Sequence, residues 1–315
     1  MIDPVDKRCI GRTSLKVSRL GVGGGSSFAR AGIHGEDVLD AAWTAGLRYF
    51  DTAPLYGGGE SEARFGKALA RRPRDEYVIS TKVGRNGERA FDYSAAGVVN
   101  SLAQSLQRLA LSRIDVVMIH DVDPDMHGEH FEQRLATAMQ EGYPALAELR
   151  DAGTIGAIGV GLKNWDVALR LARGCGLDCI MLAGGYTLLQ HGALADLLPW
   201  CVDNEVSVLV AAPFNTGILA TGAIDGARYY YKPAPPGILQ RTRELSSVCE
   251  RHAVPLAAAA LQFPLHHPAV ASVVVGHESA REIEHNLALL RLSVPKALWA
   301  ELKDRGLIPQ NAPTP

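Results

Sequence analysis

No stretch of about 18 apolar residues occurs in the chain, which predicts no transmembrane helix. The net charge is only −2, so neither nucleic acid nor an anionic membrane is an expected partner. The opening MIDPVDKRC has no apolar core of the kind a signal peptide needs. Five cysteines, Cys9, Cys175, Cys179, Cys201 and Cys249, form an odd and scattered set. They make no disulfide framework and read as reduced thiols in a cytoplasm; CGLDC has neither redox nor zinc spacing. No low-complexity linker or repeat divides the chain, so residues 1–315 read as one domain. No G-x-G-x-x-G turn joins a first strand to its helix, which weakens a doubly wound open sheet.

What is present is alternation. Hydrophobic residues make up 47% of the 315, enough for a large core, and 32 glycines suit many tight loops. Short runs rich in Val, Ile and Leu, at 17–23, 47–51, 77–82, 114–120, 154–161, 178–184, 206–212 and 270–276, predict strands. Helical apolar spacing follows each, at 36–45, 60–70, 95–109, 141–152, 165–173, 191–203, 238–251 and 279–290. Eight such units predict an α/β fold, a (β/α)8 TIM barrel. Residues 7–17 alternate around Gly11 and predict an N-terminal β-hairpin capping the barrel bottom. Two connections, 121–140 and 213–237, are long and are expected to shape a site.

In such a barrel the carboxyl ends of the strands converge on one mouth. The second strand ends in Asp51, the third in Lys82 and the fourth in His120, and Tyr56 lies in the Pro- and Gly-rich turn after Asp51. Singly, each has a bland reading as a loop cap, a solvated strand end or a structural histidine. Together they form a proton-transfer set. A free phenol titrates near 10, a neighbouring ammonium lowers that value, and a carboxylate holds the ammonium. Tyr56 then exchanges a proton with a substrate oxygen that His120 orients, and a hydride carrier removes the need for a nucleophile.

The stretches FDTAPLYGGGESEARFGKAL, STK (80–82) and VVMIHD (116–121) resemble the aldo-keto reductase superfamily, and the likeness runs from LGVGGG (20–25) to EIEHN (282–286). The resemblance implies a nicotinamide dinucleotide across the mouth and a catalytic tetrad of Asp51, Tyr56, Lys82 and His120. It implies cofactor contacts from Gly23, Gly24, Gly25 and Asp51 and from Asn164 or Lys163, where the family carries Ser-Asn. It extends them to Tyr186, to Pro213, Phe214, Asn215, Gly217 and Leu219 of the PFNTGIL loop, and to Gly276, Glu282 and Asn286. Ala183 stands where the family usually has Gln, and Ala211 where it usually has a stacking Tyr. LAGGYTLL, APFNTGILATG and YKPAPP resemble a branch that includes L-fucose (D-threo-aldose) dehydrogenases and pyridoxal 4-dehydrogenases, which oxidise a hemiacetal to a lactone.

NADPH-preferring members carry Lys and Arg where this chain has Gly276 and Glu282. A carboxylate there repels a 2′-phosphate, so NAD is the expected cofactor over NADP; the competing reading makes Glu282 a first-turn residue favoured by the helix dipole. Expected partners are a small sugar or another aldehyde or hemiacetal. Tyr56, His120 and Tyr231, the last from YYYKP, are the candidate substrate-lining residues. The acidic, His-containing loop 120–133 matches no metal signature and reads as a pocket wall. The alternatives are an NADPH-dependent aldehyde or ketone reductase and a nucleotide-binding regulatory subunit with little turnover.

Overall fold

Strands form where the sequence runs apolar because each has the barrel interior on one face and helices on the other. The computed structural model describes residues 1–25, 28–29 and 35–315. Eight parallel strands close on themselves: β1 (Leu20–Gly23), β2 (Tyr49–Asp51), β3 (Val78–Val83), β4 (Ile114–His120), β5 (Ile155–Leu162), β6 (Cys179–Ala183), β7 (Ser207–Ala211) and β8 (Val270–Gly276). Val22 pairs with Phe50 on one side and Val275 on the other, so β1 joins β2 to β8. The eight strands are those expected from the sequence, most of them trimmed at their ends. Their helices are α1 (Gly35–Thr44), α2 (Glu60–Leu69), α3 (Ala95–Leu109), α4 (Tyr143–Asp151), α5 (Trp165–Gly174), α6 (Leu197–Asp203), α7 (Pro236–Arg251) and α8 (Ala280–Arg291).

Strand parity sorts the core into two layers. Tyr49, Val78, Val116, Met118, Met181 and Leu209 belong to the cluster that fills the barrel, while Phe50, Ile79, Val117 and Ile119 pack against helices. Ile10 and Val17 join the inner cluster from the antiparallel hairpin Lys7–Cys9 with Lys16–Ser18. The hairpin therefore plugs the end of the barrel opposite the strands' carboxyl ends, as expected.

Three departures from expectation have physical causes. Residues 124–142 are largely helical rather than open loop: Pro124–His127, Phe131–Thr137 and a π-turn at Ala138–Gly142 lead into α4. The helix-like run ending at His266 and His267 becomes a full helix, Leu256–Leu265, outside the eight expected units and buried on nearly every side, so it has no polar face to give a clear helical period. Lys296–Asp304 adds another after Pro295. The 213–237 segment contains a short helix, Ile218–Thr221, and a small hairpin in which Tyr229 pairs with Lys232.

Candidate active site

The same parity sets the polar residues. Asp51 follows Tyr49 by two, Lys82 follows Val78 by four and His120 follows Met118 by two, so all three occupy inward positions at the carboxyl ends of β2, β3 and β4. All three are buried. Lys82 Nζ donates to both Asp51 oxygens, at 2.9 and 2.8 Å, and to the Thr52 carbonyl at 2.8 Å. Ser80 Oγ donates to Asp51 Oδ1 at 2.6 Å, a second contact on the carboxylate.

Tyr56 reaches this pair from the turn after β2. Gly57, Gly58 and Gly59 have φ of 62, 64 and 98°, a left-handed succession that side chains resist. A Cβ on Gly57 would also lie 2.6 Å from the Ala29 carbonyl. The turn brings the Tyr56 ring to 4.9 Å from Lys82 Nζ, with the His120 ring edge-on at 6.0 Å. On the other side of the mouth, Gly23, Gly161, Ala183, Ala211 and Gly276 occupy the terminal inward positions, leaving room for a flat ligand. A Cβ on Gly161 would approach Lys82 Cε to 3.5 Å, and one on Gly25 would stand 3.7 Å from the Tyr56 ring.

Burial raises the Tyr56 phenol; Lys82 opposes the rise and Asp51 adds to it, so the net direction is upward rather than the lowering expected from Lys82 alone. Burial pushes Lys82 down, but Asp51 and Tyr56 more than offset it and hold the ammonium. Burial takes His120 down to about 3, so the imidazole is neutral at physiological pH. Its Nδ1 is buried with no partner among the described residues.

A cavity of about 780 Å³ opens beside the cluster, on the side of β4, β5 and the connection after β7. Asp123, Lys163 and Asn164 line one wall, and Tyr229, Tyr230 and Lys232 another. The four clustered residues do not line it; Asp123, three residues past His120, is the nearest link in sequence. Asp123 accepts from the backbone N–H groups of Lys163, at 3.1 Å, and Asn164, at 2.9 Å, and burial raises it to about 6.

The remaining residues expected at the cofactor or substrate hold varied places. Tyr186 is fully buried, packed on Phe263 at 5.1 Å and on His267, so its ring is unavailable at the mouth. Leu219 lies in the core, and its N–H is bonded to Phe214 O. Tyr231 is 75% exposed and absent from the cavity wall, because the two-residue turn that carries it turns Tyr230 inward and Tyr231 outward. Asn164 caps α5, its Oδ1 accepting from Asp166 and Val167 N–H, while Lys163 lines the cavity beside it. Asn286 is buried in α8, Pro213 is buried and Phe214 half-buried. Glu282 accepts the Glu278 N–H at 2.8 Å, the capping contact of a first-turn residue, while Gly276 is exposed at the end of β8. Asp123 belongs to the 120–133 loop expected as a pocket wall, and Tyr229 and Tyr230 to the YYYKP aromatics; all three line the cavity.

The loop after β7 presents backbone donors for an anion. Ala212, Asn215, Thr216 and Gly217 are left-handed, at φ of 50, 47, 63 and 97°. The Asn215 and Gly217 amides are bonded within the loop, and the Asn215 side chain is held by Thr187 and Gly184. The Phe214, Thr216 and Ile218 amides have no partner among the described residues, so the donors for an anion are these three.

Residues 20–305 match the Aldo/keto reductase family. The chain is 40% identical over 297 residues to a D-threo-aldose 1-dehydrogenase from a Pseudomonas species, covering 86% of this chain and 88% of that protein. It is 36% identical over 336 aligned residues to the pyridoxal 4-dehydrogenase of Microbacterium luteolum, covering 96% and 98%. Among solved structures, an aldo-keto reductase from Bacillus halodurans in its holo form superposes with a TM-score of 0.76 at 25% identity, covering 95% of each chain. A closed barrel with this family match along nearly its whole length identifies the chain as a member of the aldo/keto reductase family, an oxidoreductase acting between an alcohol and a carbonyl.

Proposed function

We propose that the chain oxidises the anomeric carbon of a cyclic hemiacetal, an aldose of the L-fucose class, to a lactone, with NAD preferred over NADP. The observation that carries this reading is the Lys82 ammonium held between the Asp51 carboxylate and the Tyr56 ring at the mouth of the barrel. A bound nicotinamide dinucleotide supplies the hydride acceptor and, when oxidised, a positive charge on its ring. Tyr56 as phenolate takes the proton from the anomeric hydroxyl while the anomeric hydrogen leaves as hydride, which balances the oxidation. Lys82, kept charged by Asp51, stabilises that phenolate. Neutral His120 donates its one N–H to the same substrate oxygen and orients it.

The loop amides of Phe214, Thr216 and Ile218 suit a pyrophosphate, and the Gly and Ala half of the mouth suits a flat ring. Tyr229 and Tyr230 offer aromatic faces and Asp123 an acceptor, a combination suited to a polyhydroxylated ring. Glu282 and the absence of a lysine at Gly276 support NAD. Glu282→Arg should shift preference toward NADP, read as the ratio of kcat/KM for the two cofactors. Pyridoxal is the second reading: the relative acting on it aligns over 96% of this chain, and a pyridine ring stacks on tyrosine as well as a sugar does.

The test follows reduced nicotinamide by absorbance with NAD or NADP and a panel of L-fucose, D-arabinose, L-galactose and pyridoxal. Fast NAD reduction with one aldose supports the first reading, and turnover of pyridoxal alone supports the second. Silence across the panel with both cofactors sinks both and favours a reductase of other carbonyls or a slow nucleotide-binding subunit.

A further inference from the structure

We infer that Asp121 is a positioning residue for His120, selecting the tautomer that carries its proton on Nε2 and so presenting an N–H at the mouth of the barrel. The inference rests on the role proposed above for His120. Asp121 directly follows β4 and is held in an unusual state. Its φ is +53°, a left-handed conformation uncommon for a residue with a side chain, though aspartate tolerates it better than most. Such outliers persist only where the surroundings enforce them, and they gather at functional sites. Here the surroundings are explicit. The Asp121 N–H donates to Gly161 O at 2.8 Å. The Tyr93 hydroxyl contacts the carbonyls of both His120 and Asp121, at 2.8 and 3.1 Å. Arg85 forms an ion pair with the Asp121 carboxylate, and both side chains are nearly buried.

The result of this scaffold is one short approach: Asp121 Oδ2 lies 3.4 Å from His120 Nε2. Neutral imidazole has one N–H, and an ionised carboxylate can only accept. The approach is therefore favourable with the proton on Nε2 and repulsive with a bare nitrogen there. The partnerless Nδ1 agrees, since a bare ring nitrogen is an acceptor lacking only a donor, a smaller cost than a buried N–H with nothing to accept it. At 3.4 Å the contact is longer than an ordinary N–H···O bond, so Asp121 can set the tautomer without capturing the proton. The N–H stays available to a substrate oxygen lying between His120 and Tyr56.

Arg85 from the connection after β3 pairs with the Asp121 carboxylate, and Lys163 from that after β5 and Tyr56 from that after β2 interact with it electrostatically. Tyr93 stands beside Arg85, and Asp123 and His127 follow on the same connection. Burial works against the Asp121 carboxylate, but its ion pair with Arg85, with Lys163 also acting on it, holds it below the usual carboxylate range, so it stays ionised wherever the enzyme works.

Asp121→Asn is the informative variant, because asparagine tolerates the left-handed backbone and keeps the shape while removing the charge. With 15N-labelled histidine, and His120 assigned by its loss in His120→Gln, the wild type at neutral pH should show a protonated Nε2 and a bare Nδ1. Asp121→Asn should show a mixed population. In aldose oxidation its kcat should fall about 10- to 100-fold, with KM and NAD affinity nearly unchanged. Arg85→Lys, which keeps the cation, should retain the wild-type tautomer and most of kcat. If Asp121→Asn fails to fold, Asp121→Gly, which also accepts the left-handed backbone and removes the carboxylate, carries the same readouts, and a mixed tautomer is expected. A wild type protonated on Nδ1 overturns the inference, as does a variant with unchanged tautomer and kcat within about twofold of the wild type. A wild type that turns over no aldose sinks the reading of the previous section, while the tautomer measurement decides this one independently.

Discussion

Tyr56 and Lys82 show how far burial governs single residues here. Because burial raises the phenol, the base form of Tyr56 is scarce near neutrality and grows as pH rises. The oxidation rate should therefore climb from neutral toward alkaline pH, measured as kcat/KM against pH. Tyr56→Phe should lose about 10²–10⁴-fold in kcat and abolish that climb, with NAD affinity intact; a variant that keeps the pH-dependent activity would remove Tyr56 from its role. Lys82→Met leaves the Asp51 carboxylate buried with Ser80 and no cation. It should cost about 3–5 kcal/mol in denaturant unfolding, and adding Asp51→Asn should recover part of the loss. If the double variant is no more stable than Lys82→Met, the cost does not come from the orphaned charge.

At the scale of elements, the small hairpin after β7 carries a strain that its sequence does not anticipate. Its two turn residues, Tyr230 and Tyr231, have φ of 48 and 64°, where such turns prefer Asn-Gly. Tyr230 is engaged: its hydroxyl donates to Gly184 O at 3.2 Å and its ring lines the cavity. Tyr231 contributes only an exposed ring. Tyr231→Gly should relieve the strain and stabilise the fold by about 1 kcal/mol, with turnover unchanged. Thermal unfolding checks the first part, and a drop in kcat/KM would show that Tyr231 touches substrate after all.

For the whole molecule, acid is the predicted weakness. Burial lowers His191, His266, His267 and His277 to about 4, well below the usual value near 6.5. Between those values the unfolded chain binds more protons than the folded one, so stability is full above about 6.5 and falls as pH drops toward about 4. Each histidine contributes up to about 1.4 kcal/mol per pH step within that window. Asp115 and Asp123 work in the opposite sense: raised by burial, Asp123 to about 6, they add stability as pH falls, but His120, lowered to about 3, joins the other four histidines against them. The melting temperature should therefore fall steeply across the window. A flat profile would mean that these histidines are solvated in the native state.

Periodicity carries the barrel, the plug and the cluster at the mouth in the sequence alone. Apolar runs marked the strands, and a two-residue period from Tyr49, Val78 and Met118 delivers Asp51, Lys82 and His120 inward. The helix-like run that ends at His266 and His267 is the helix Leu256–Leu265, whose bounds the sequence leaves open because burial on nearly every side erases the period that marks a helix. Nor does the sequence settle which residues of a long connection face the mouth. Tyr230 and Tyr231 are chemically identical, and only the paired turn sends one to the cavity and the other to solvent. Tyr186, Leu219 and Asn215 sit in suggestive text, yet packing between β6, β7 and the outer helices claims their side chains. The direction of the Tyr56 shift also needed the tertiary structure. It is a balance between lost solvent and nearby charges, and both depend on distances that sequence spacing leaves open.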